Sequence, residues 1–434
     1  MMSRTVFPSE ISGILHAPPS KSLTQRAIAA GLMAGGTTII RNPSNCDDSV
    51  AALSIAETLG AAVQRDLSEI RITGITNIHR NSPSAGIGRD LSLLRVNCGE
   101  SGLAMRMFAP IASLFNRPVS FIGEGSLQKR PVDMVGKGLE QLGVDFSPGN
   151  GHLLFTVKGP IQGGTVQIDG SVSSQLLTGL LMALPVVPGD SELLVHNLKS
   201  VPYINMTLQL LAEFGIRIEN PDYMHFRVPG NQSYLPIEYP VEGDWSNAAF
   251  LLVAGAINGT VEVSGLNFSS MQADMGILEA MQNAGAMMVI KGSSVSLSSS
   301  ELKAFRYDAT DSPDLFPPLA ALAAYCEGTS IISGVERLVH KESDRSASIP
   351  ATLGKMGIHC RLAGNDMYIF GGAVRGAKVS SNNDHRIAMM AAVAALGASG
   401  PVTISDPDCV NKSYPDFFKE LAGAGATISK QNQQ

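Results

Sequence analysis

Hydrophobic and polar residues follow a rhythm that repeats six times along the chain. In each repeat a helix-like segment ends in glycine and an apolar strand follows, as in AETLGAAV and LEQLGVDF. The glycines are Gly60, Gly143, Gly215, Gly285, Gly357 and Gly425. A residue just past a helix end often adopts the left-handed conformation, which glycine tolerates best. Each glycine therefore predicts the end of a helix and the approach of a strand.

A more apolar helix belongs to each repeat as well. Segments such as LAMRMFAPIASLF and RIAMMAAVAAL are apolar on nearly every face, so we expect them to be buried. A turn and a strand follow each one, as in NGTVEVSG. The glycines stand 68–83 residues apart, which is too long for a solenoid repeat. Since one core rarely extends past about 250–300 residues, we predict two domains of three units each.

Proline-rich segments mark where the chain would pass between the two domains. The segment 234–242, YLPIEYPVE, lies between the third and fourth units, and Ala17-Pro18-Pro19 is a second candidate crossover. We therefore expect one domain from residues 1–18 and 240–434, in which the N-terminal strands join the last three units. Residues 19–239 would form the other domain, with the active site in a cleft between the two.

Composition and charge exclude several classes of protein. The 434 residues are 44% hydrophobic and 16% charged, which favours a globular protein over a disordered one. The net charge of −6 does not suit a nucleic-acid partner. The five cysteines form no CxxC pair, so neither a disulfide framework nor a zinc site is indicated. Without a signal-peptide pattern or a long apolar run, we expect a cytoplasmic protein with no membrane partner.

The residues that precede the six apolar helices are unusually polar. They include PPSKSLTQR, NCGESGLAMR and NNDHR. A helix N-terminus offers unpaired N–H groups and the positive end of a dipole, so it suits phosphate or carboxylate. Ser, Asp and Asn also cap helices without any ligand. Capping does not explain Lys21, Arg26, Arg106 and Arg386, however, because cations oppose the dipole there unless anions neutralise them.

Nine segments, taken in order along nearly the whole chain, resemble the signature segments of the EPSP synthase family. They are PPSKSLTQRA, NCGESGLAMR, SSQLLTGLLMALP, SVPYINMTL, VEGDWSNAAFLL, SPD, KESDR, NDHRIAM and CVNKSYPDFF. The resemblance implies an α/β (α+β) fold of two domains. Each would contain three βαβαββ units related by pseudo-three-fold symmetry, with buried central helices.

The resemblance also implies a reaction. The enolpyruvyl group of phosphoenolpyruvate passes to the 5-hydroxyl of shikimate 3-phosphate, and phosphate leaves. This step belongs to the shikimate pathway, which leads to chorismate and the aromatic amino acids. The family uses a tetrahedral intermediate and needs no metal or organic cofactor. We expect a monomer whose partners are its two small-molecule substrates, and whose domains close when substrate binds.

By match to the family's motifs, named residues would hold each substrate. The residues implied for phosphoenolpyruvate are Lys21, Gly102, Arg130, Gln175, Arg345, Arg386 and Lys412. Those implied for shikimate 3-phosphate are Lys21, Ser22, Arg26, Ser173, Ser174, Gln175, Ser200, Tyr203, Asp314 and Lys341. Four anionic groups in one closed site need several cations, which is consistent with this set.

Proton transfer needs its own groups. The resemblance makes Asp314 and Glu342 the carboxylates that move protons, with Asp314 favoured as the base toward the hydroxyl. Glu342 and Lys21 are candidates for the transfers at the methylene carbon and the leaving phosphate.

The chain departs from the family's pattern at four positions. Glu100 stands where Asn is usual, and Ser126 replaces the first Arg of an Arg-x-x-x-Arg loop. Met107 stands where Pro is common, and Arg337 lies near an expected Asn. A carboxylate beside a phosphate site is unfavourable unless it is paired, so we expect Glu100 to pair with a nearby Arg or Lys.

Two alternative functions stay open from the sequence alone. The UDP-N-acetylglucosamine enolpyruvyl transferases share the fold and phosphoenolpyruvate, but they carry a reactive Cys on the loop that reads GEGSLQKRP here. The second alternative is an inactive relative that only binds its ligands. Retention of Lys21, Asp314 and Glu342 argues against it.

Overall fold

The computed structural model describes residues 2–66, 68–75, 93–171 and 173–432. The chain divides into two compact units. The continuous unit is Pro19–Val241, and the discontinuous unit combines Met1–Pro18 with Glu242–Gln434. The division thus follows Val241, whereas the proline-rich segment led us to place it after residue 239.

The helices of the described residues fall six to each unit. Those of the continuous unit are α1 (Lys21–Met33), α2 (Asp47–Leu59), α3 (Gly102–Ala112), α4 (Asp133–Glu140), α5 (Gln175–Ala183) and α6 (Val201–Glu213). Those of the discontinuous unit are α7 (Trp245–Asn258), α8 (Ile277–Asn283), α9 (Phe316–Ala323), α10 (Arg345–Lys355), α11 (His385–Ala395) and α12 (Phe417–Gly423).

The strands alternate with these helices. The first two are β1 (Met2–Val6) and β2 (Ile11–His16). Those of the continuous unit are β3 (Thr37–Arg41), β4 (Ala62–Arg65), β5 (Glu69–Thr73), β6 (Leu94–Asn97), β7 (Pro118–Ile122), β8 (Asp145–Pro148), β9 (Leu153–Lys158), β10 (Thr165–Asp169), β11 (Ser191–His196), β12 (His225–Val228) and β13 (Glu238–Pro240). The remaining ones are β14 (Gly259–Ser264), β15 (Met287–Lys291), β16 (Ser294–Ser298), β17 (Arg306–Asp308), β18 (Thr329–Ser333), β19 (His359–Ala363), β20 (Asp366–Phe370), β21 (Ala377–Ser380), β22 (Val402–Ser405) and β23 (Ile428–Asn432).

The described strands form six sheets of one design. In the continuous unit the orders are β13-β3-β5-β4, β6-β7-β9-β8 and β10-β11-β12. In the discontinuous unit they are β2-β14-β16-β15, β17-β18-β20-β19 and β21-β22-β1-β23. Each sheet has one parallel pair at one edge and antiparallel neighbours elsewhere. The N-terminal strands complete two sheets of the discontinuous unit, since β1 pairs with β22 and β23 while β2 pairs with β14.

Each unit has its own hydrophobic core, built around the apolar helices. Every residue of α3 and of α11 is buried, as the pattern of apolar residues predicted. Helices α3 and α5 approach each other closely at a glycine of α5. A Cβ at Gly179 of α5 would lie 2.7 Å from the carbonyl oxygen of Met107 on α3. Only glycine therefore permits this helix contact, which places the N-termini of both helices near one another.

The six repeat glycines adopt the conformation that their position predicted. Their φ angles are all positive, from 75° at Gly285 to 116° at Gly60. Gly60 ends α2 in the left-handed region, and its N–H donates to the carbonyl of Ala56. A residue with a Cβ is disfavoured in that region by about 1–2 kcal/mol.

A pair of glycine-to-alanine variants tests this role. Gly60→Ala should lower the stability of the continuous unit by about 1–2 kcal/mol, because alanine would be held at φ 116°. Gly354→Ala is the matched control, since Gly354 lies inside α10 with open space around its Cβ position. It should be neutral or stabilising by up to about 1 kcal/mol. Urea unfolding measures both, and equal effects of the two variants would contradict the conformational explanation.

Candidate active site

Lys21 begins α1 and is held by a carboxylate that the sequence analysis did not identify. Ser20 caps the helix by accepting a hydrogen bond from the N–H of Leu23. The Nζ atom of Lys21 lies 3.0 Å from Oδ2 of Asp48, and both side chains are largely buried. Asp48 is in the first turn of α2, where a negative charge favours the helix dipole. The two consecutive aspartates after Cys46 were a sequence feature that could have pointed to this carboxylate.

Arg26 lies deeper in the same helix and joins α1 to α6. Its side chain is buried; Nε donates to Oγ1 of Thr207 at 2.9 Å and Nη1 to the carbonyl of Ser22 at 2.9 Å. Nη2 lies 3.4 Å from the carbonyl oxygen of Tyr203. Burial lowers the pKa of Arg26 to about 10, so the guanidinium remains charged at neutral pH. Its contact with a substrate remains a prediction.

Gly102 is the meeting point of three side chains in the continuous unit. It is the first residue of α3, which Ser101 caps by accepting from the N–H of Ala104. A Cβ built on Gly102 would collide with Nη1 of Arg130. It would also lie 3.2 Å from Nη1 of Arg106 and 3.5 Å from Oε1 of Gln175. The fold thus brings Gly102, Arg130 and Gln175 together at a helix N-terminus, which is suited to an anion.

Arg106 positions two parts of this cluster. Its Nη1 donates to Oε1 of Gln175 at 2.8 Å, and its Nη2 to the carbonyl of Pro131 at 3.3 Å. The sequence analysis singled out Arg106 as a cation near a helix start but did not include it in the site. Its buried guanidinium fixes the amide of Gln175 and the segment that follows Arg130.

The predicted serines lie at the starts of three helices. Ser22 is the second residue of α1, and Ser174 directly precedes α5. Oγ of Ser173 accepts from the N–H of Gln175 at 3.2 Å. Ser200 directly precedes α6 with φ 60°, and its carbonyl accepts from the N–H of Tyr203 in the first turn of that helix.

The discontinuous unit contains a buried network around Arg345. The side chain of Arg345 has no exposed surface, and it contacts three carboxylates. Its Nε lies 2.8 Å from Oδ2 of Asp384, and its Nη1 lies 2.7 Å from Oδ1 of Asp314. Its Nη2 lies 2.7 Å from Oε2 of Glu342. One guanidinium therefore orients both carboxylates that were predicted to move protons.

Two further cations converge on Asp314. Nζ of Lys341 lies 3.2 Å from Oδ1, and Nη2 of Arg386 lies 3.2 Å from Oδ2. Burial by itself would raise the pKa of Asp314, but Arg386, Lys341 and Arg345 outweigh burial and hold that pKa well below its usual value. The carboxylate is therefore ionised at neutral pH. Burial is also the main reason why the pKa of Lys341 is lowered.

Asp384 and Lys412 complete the network. Asp384 caps α11 by accepting from the N–H of Arg386 at 3.0 Å, and its Oδ2 accepts from Oγ of Ser343 at 3.0 Å. Nζ of Lys412 donates to the carbonyl of Asn383 at 2.6 Å. Asp384 was not among the predicted site residues, although it stands only two positions before Arg386 in NNDHR.

Asp274 is a second carboxylate that the sequence did not suggest. It is buried in the turn before α8, and Oγ of Ser246 donates to it. Burial first, and then the negative charge of Asp314, raise the pKa of Asp274 to about 6. Arg386 and the hydrogen bond from Ser246 act in the opposite direction, and Asp244 adds to the increase. Nothing in the pattern around ADMGIL distinguishes this residue from an exposed loop aspartate.

Of the four departures, Glu100 and Ser126 prove to be in contact. Oε2 of Glu100 accepts hydrogen bonds from the N–H and the hydroxyl of Ser126, at 2.9 and 3.0 Å. The expected pairing of Glu100 with an Arg or Lys stays a prediction. Met107 is buried within α3, and Arg337 ends a short 3-10 turn after β18.

Residues 7–421 match the model of the family described as EPSP synthase, 3-phosphoshikimate 1-carboxyvinyltransferase. The chain belongs to the EPSP synthase family. The match spans all nine segments on which the resemblance was based, so the predicted family membership is confirmed. Among residues 2–66, 68–75, 93–171 and 173–432, no helix has the length and apolarity needed to cross a membrane.

Individual members of the EPSP synthase family resemble the chain over its full length. The 3-phosphoshikimate 1-carboxyvinyltransferase of Methanocorpusculum labreanum is 36% identical over 432 residues, which cover 99% of this chain and 100% of the relative. That of Clostridium perfringens strain SM101 is 35% identical and covers 96% and 98%. A solved EPSP synthase structure from Acinetobacter baumannii covers 100% of both chains, with a TM-score of 0.82 and 25% identity. This likeness confirms the predicted fold class.

The raised pKa of Asp274 predicts how stability depends on pH in this EPSP synthase family member. A carboxyl group whose pKa is higher in the folded than in the unfolded state stabilises the fold while it is protonated. Its contribution is complete below about pH 4 and is lost as the pH rises through about 6. Asp274→Asn imitates the protonated form at every pH.

We therefore expect the melting temperature of Asp274→Asn, relative to the unmodified protein, to increase between pH 5 and pH 8. The exposed Asp311, replaced by Asn, is the matched control and should show no such trend. Differential scanning calorimetry at both pH values measures the effect. A constant difference between Asp274→Asn and the unmodified protein would show that the carboxyl group is not protonated near pH 5.

Proposed function

We propose that this chain transfers the enolpyruvyl group of phosphoenolpyruvate to the 5-hydroxyl of shikimate 3-phosphate and releases phosphate. The observation that carries the proposal is the network in which Asp314 and Glu342 are oriented by one buried guanidinium, that of Arg345. Such a network holds two proton-transfer groups among cations. Membership of the EPSP synthase family and the shared name of its relatives support the same activity.

The charges of the two substrates suit the cations of both units. Each substrate carries one phosphate and one carboxylate. We assign phosphoenolpyruvate to Lys21, Gly102, Arg130, Gln175, Arg345, Arg386 and Lys412. We assign shikimate 3-phosphate to Lys21, Ser22, Arg26, Ser173, Ser174, Gln175, Ser200, Tyr203, Asp314 and Lys341. The assigned residues come from both units of the chain.

In the addition step, the 5-oxygen bonds to C2 of phosphoenolpyruvate while C3 gains a proton, which gives a tetrahedral intermediate. Asp314 accepts the proton of the 5-hydroxyl. Three surrounding cations hold its pKa well below the usual value, so the carboxylate is a weak base while they contact it. When Arg386 and Lys341 turn to substrate anions, their hold on Asp314 weakens and its proton affinity rises. Substrate binding would thus activate the base.

In the elimination step, the bond between C2 and the phosphate oxygen breaks and C3 returns its proton. Glu342 enters the reaction protonated, gives its proton to C3 in the addition and recovers it in the elimination, while Nη2 of Arg345 orients its carboxyl group. Lys21 neutralises the leaving phosphate and can give it a proton. The proton that left the 5-hydroxyl departs with the phosphate or with solvent, so the reaction is balanced and needs no oxidant or reductant.

The rival acceptor, UDP-N-acetylglucosamine, is disfavoured. The loop GEGSLQKRP contains no Cys, and it forms a 3-10 turn from Gly125 to Lys129 that presents Arg130. The relatives from Methanocorpusculum labreanum and Clostridium perfringens are both named 3-phosphoshikimate 1-carboxyvinyltransferase. An inactive relative would retain binding without phosphate release, and the assay below distinguishes this case.

The direct test follows inorganic phosphate release from phosphoenolpyruvate in the presence of shikimate 3-phosphate, with UDP-N-acetylglucosamine in a parallel reaction. We expect turnover with shikimate 3-phosphate only. Asp314→Asn should lower kcat by about 10²–10⁴, the range typical of a lost general base. Asp311→Asn, an exposed neighbour, is the control and should retain activity. Turnover with the sugar nucleotide alone, or binding without any phosphate release, would refute the proposal.

Gly102→Ala tests the assigned phosphoenolpyruvate site. Because the new Cβ would collide with Nη1 of Arg130, the guanidinium has to move, and we expect KM for phosphoenolpyruvate to rise about tenfold or more. KM for shikimate 3-phosphate should change less than twofold. Gly35→Ala is the matched control, because open space surrounds its Cβ position in the same unit. Equal increases in both KM values would count against the assignment.

A further inference from the structure

Glu100 connects two parts of the continuous unit that are far apart in sequence. It lies two positions before α3, directly after Gly99. Its Oε2 atom accepts from both the N–H and the hydroxyl of Ser126. Ser126 belongs to the 3-10 turn Gly125–Lys129, which follows β7. The contact therefore joins the residue before the α3 cap to the turn that leads to Arg130.

The turn relies on Glu100 for its first hydrogen bonds. Glu124, which directly precedes the turn, caps none of its N–H groups with its side chain. The N–H of Ser126 is instead met by the carboxylate of Glu100. Gly125, with φ 50°, lies against the same carboxylate, and a Cβ there would collide with it. The backbone of the turn therefore packs directly on Glu100.

The same turn determines where Arg130 lies. The N–H of Arg130 donates to the carbonyl of Leu127 inside the turn, at 3.1 Å. Its guanidinium lies against Gly102, at the start of α3. Glu100 thus holds the turn at one end, while Arg130 reaches the helix start at the other. A shift of the turn relative to α3 would move the guanidinium by a similar amount.

We propose that Glu100 is a positioning residue for phosphoenolpyruvate recognition. By accepting both hydrogen bonds of Ser126, it fixes the Arg130 turn against the N-terminus of α3 and so sets the affinity for the phosphoenolpyruvate anion. The identity of that anion rests on the proposed function. A carboxylate close to an anion site would normally repel the anion. Here Oε2 of Glu100 accepts from two donors of the turn, which stabilise its negative charge.

The experiment compares Glu100→Ala with Glu100→Gln, which loses the charge but keeps an acceptor oxygen. Hydrogen exchange of the segment 123–131 reports the turn without any substrate. We expect exchange of the Ser126 amide to be at least tenfold faster in Glu100→Ala, and within threefold of the unmodified protein in Glu100→Gln. Glu124→Gln is the matched control, because Glu124 is an exposed carboxylate next to the same turn. Unchanged exchange in Glu100→Ala would overturn the proposal.

Kinetics supply the second readout. Glu100→Ala should raise KM for phosphoenolpyruvate about tenfold, while kcat and KM for shikimate 3-phosphate stay within about twofold of the unmodified protein. In Glu100→Gln, KM for phosphoenolpyruvate should be close to that of the unmodified protein. Ser126→Ala should give a smaller increase, and adding it to Glu100→Ala should change nothing further. A lower KM in Glu100→Ala, or additive effects of the two alanines, would overturn the proposal. If the unmodified protein released no phosphate, the proposed function would fail, while the exchange data would still decide the role of Glu100.

Discussion

The ion pairs of the buried Arg345 guanidinium are the interactions on which the arrangement of charged residues in the discontinuous unit depends. A charge without exposed surface is tolerable only when opposite charges and hydrogen bonds replace water. The carboxylates of Asp384, Asp314 and Glu342 supply these charges. Burial by itself would lower the pKa of Arg345, but the three carboxylates outweigh burial and raise that pKa. Two of these carboxylates have further partners, since Asp384 caps α11 and Asp314 contacts Lys341 and Arg386. Removal of one member would leave its partners buried without compensation, at a cost of about 3–5 kcal/mol.

The repeated unit explains why the charges collect at helix starts. The helices at the centre of each unit are buried along their whole length, and their charged residues lie in the first two turns, as Arg106 does in α3 and Arg386 in α11. Their first turns are where polar side chains and unpaired N–H groups reach the surface of the core together. Gly102 is the first residue of α3 in one unit, and Arg386 is the second residue of α11 in the other. The repeat thus places charged side chains close to helix N-termini in both units, where the helix dipole favours an anion.

Three of the cations form ion pairs within their own unit. Lys21 contacts Asp48, and Lys341 and Arg386 contact Asp314. These pairs offset the repulsion between Lys341 and Arg386, which both contact Asp314. They also link binding to proton affinity, because any anion that draws a cation away from Asp314 makes that carboxylate more basic. Arg386, Lys341 and Arg345 thus determine the proton affinity of Asp314.

The sequence by itself determined the local features of this protein. The six glycines predicted helix ends because one residue type tolerates the left-handed conformation, and the apolar segments predicted buried helices because their periodicity leaves no polar face. The nine signature segments predicted the family, and with it the residues to examine. All of these signals are contained within short windows of the chain.

Only the tertiary structure decided which distant groups meet. Asp48 lies 27 residues from Lys21, and Asp384 lies 39 residues from Arg345. No spacing rule relates them, because the pairs form across separate helices. The same holds for Asp274, whose raised pKa comes from burial that a loop sequence does not reveal, and for Glu100, whose partner Ser126 lies on another turn. Packing sets those distances, and packing is a property of the whole unit.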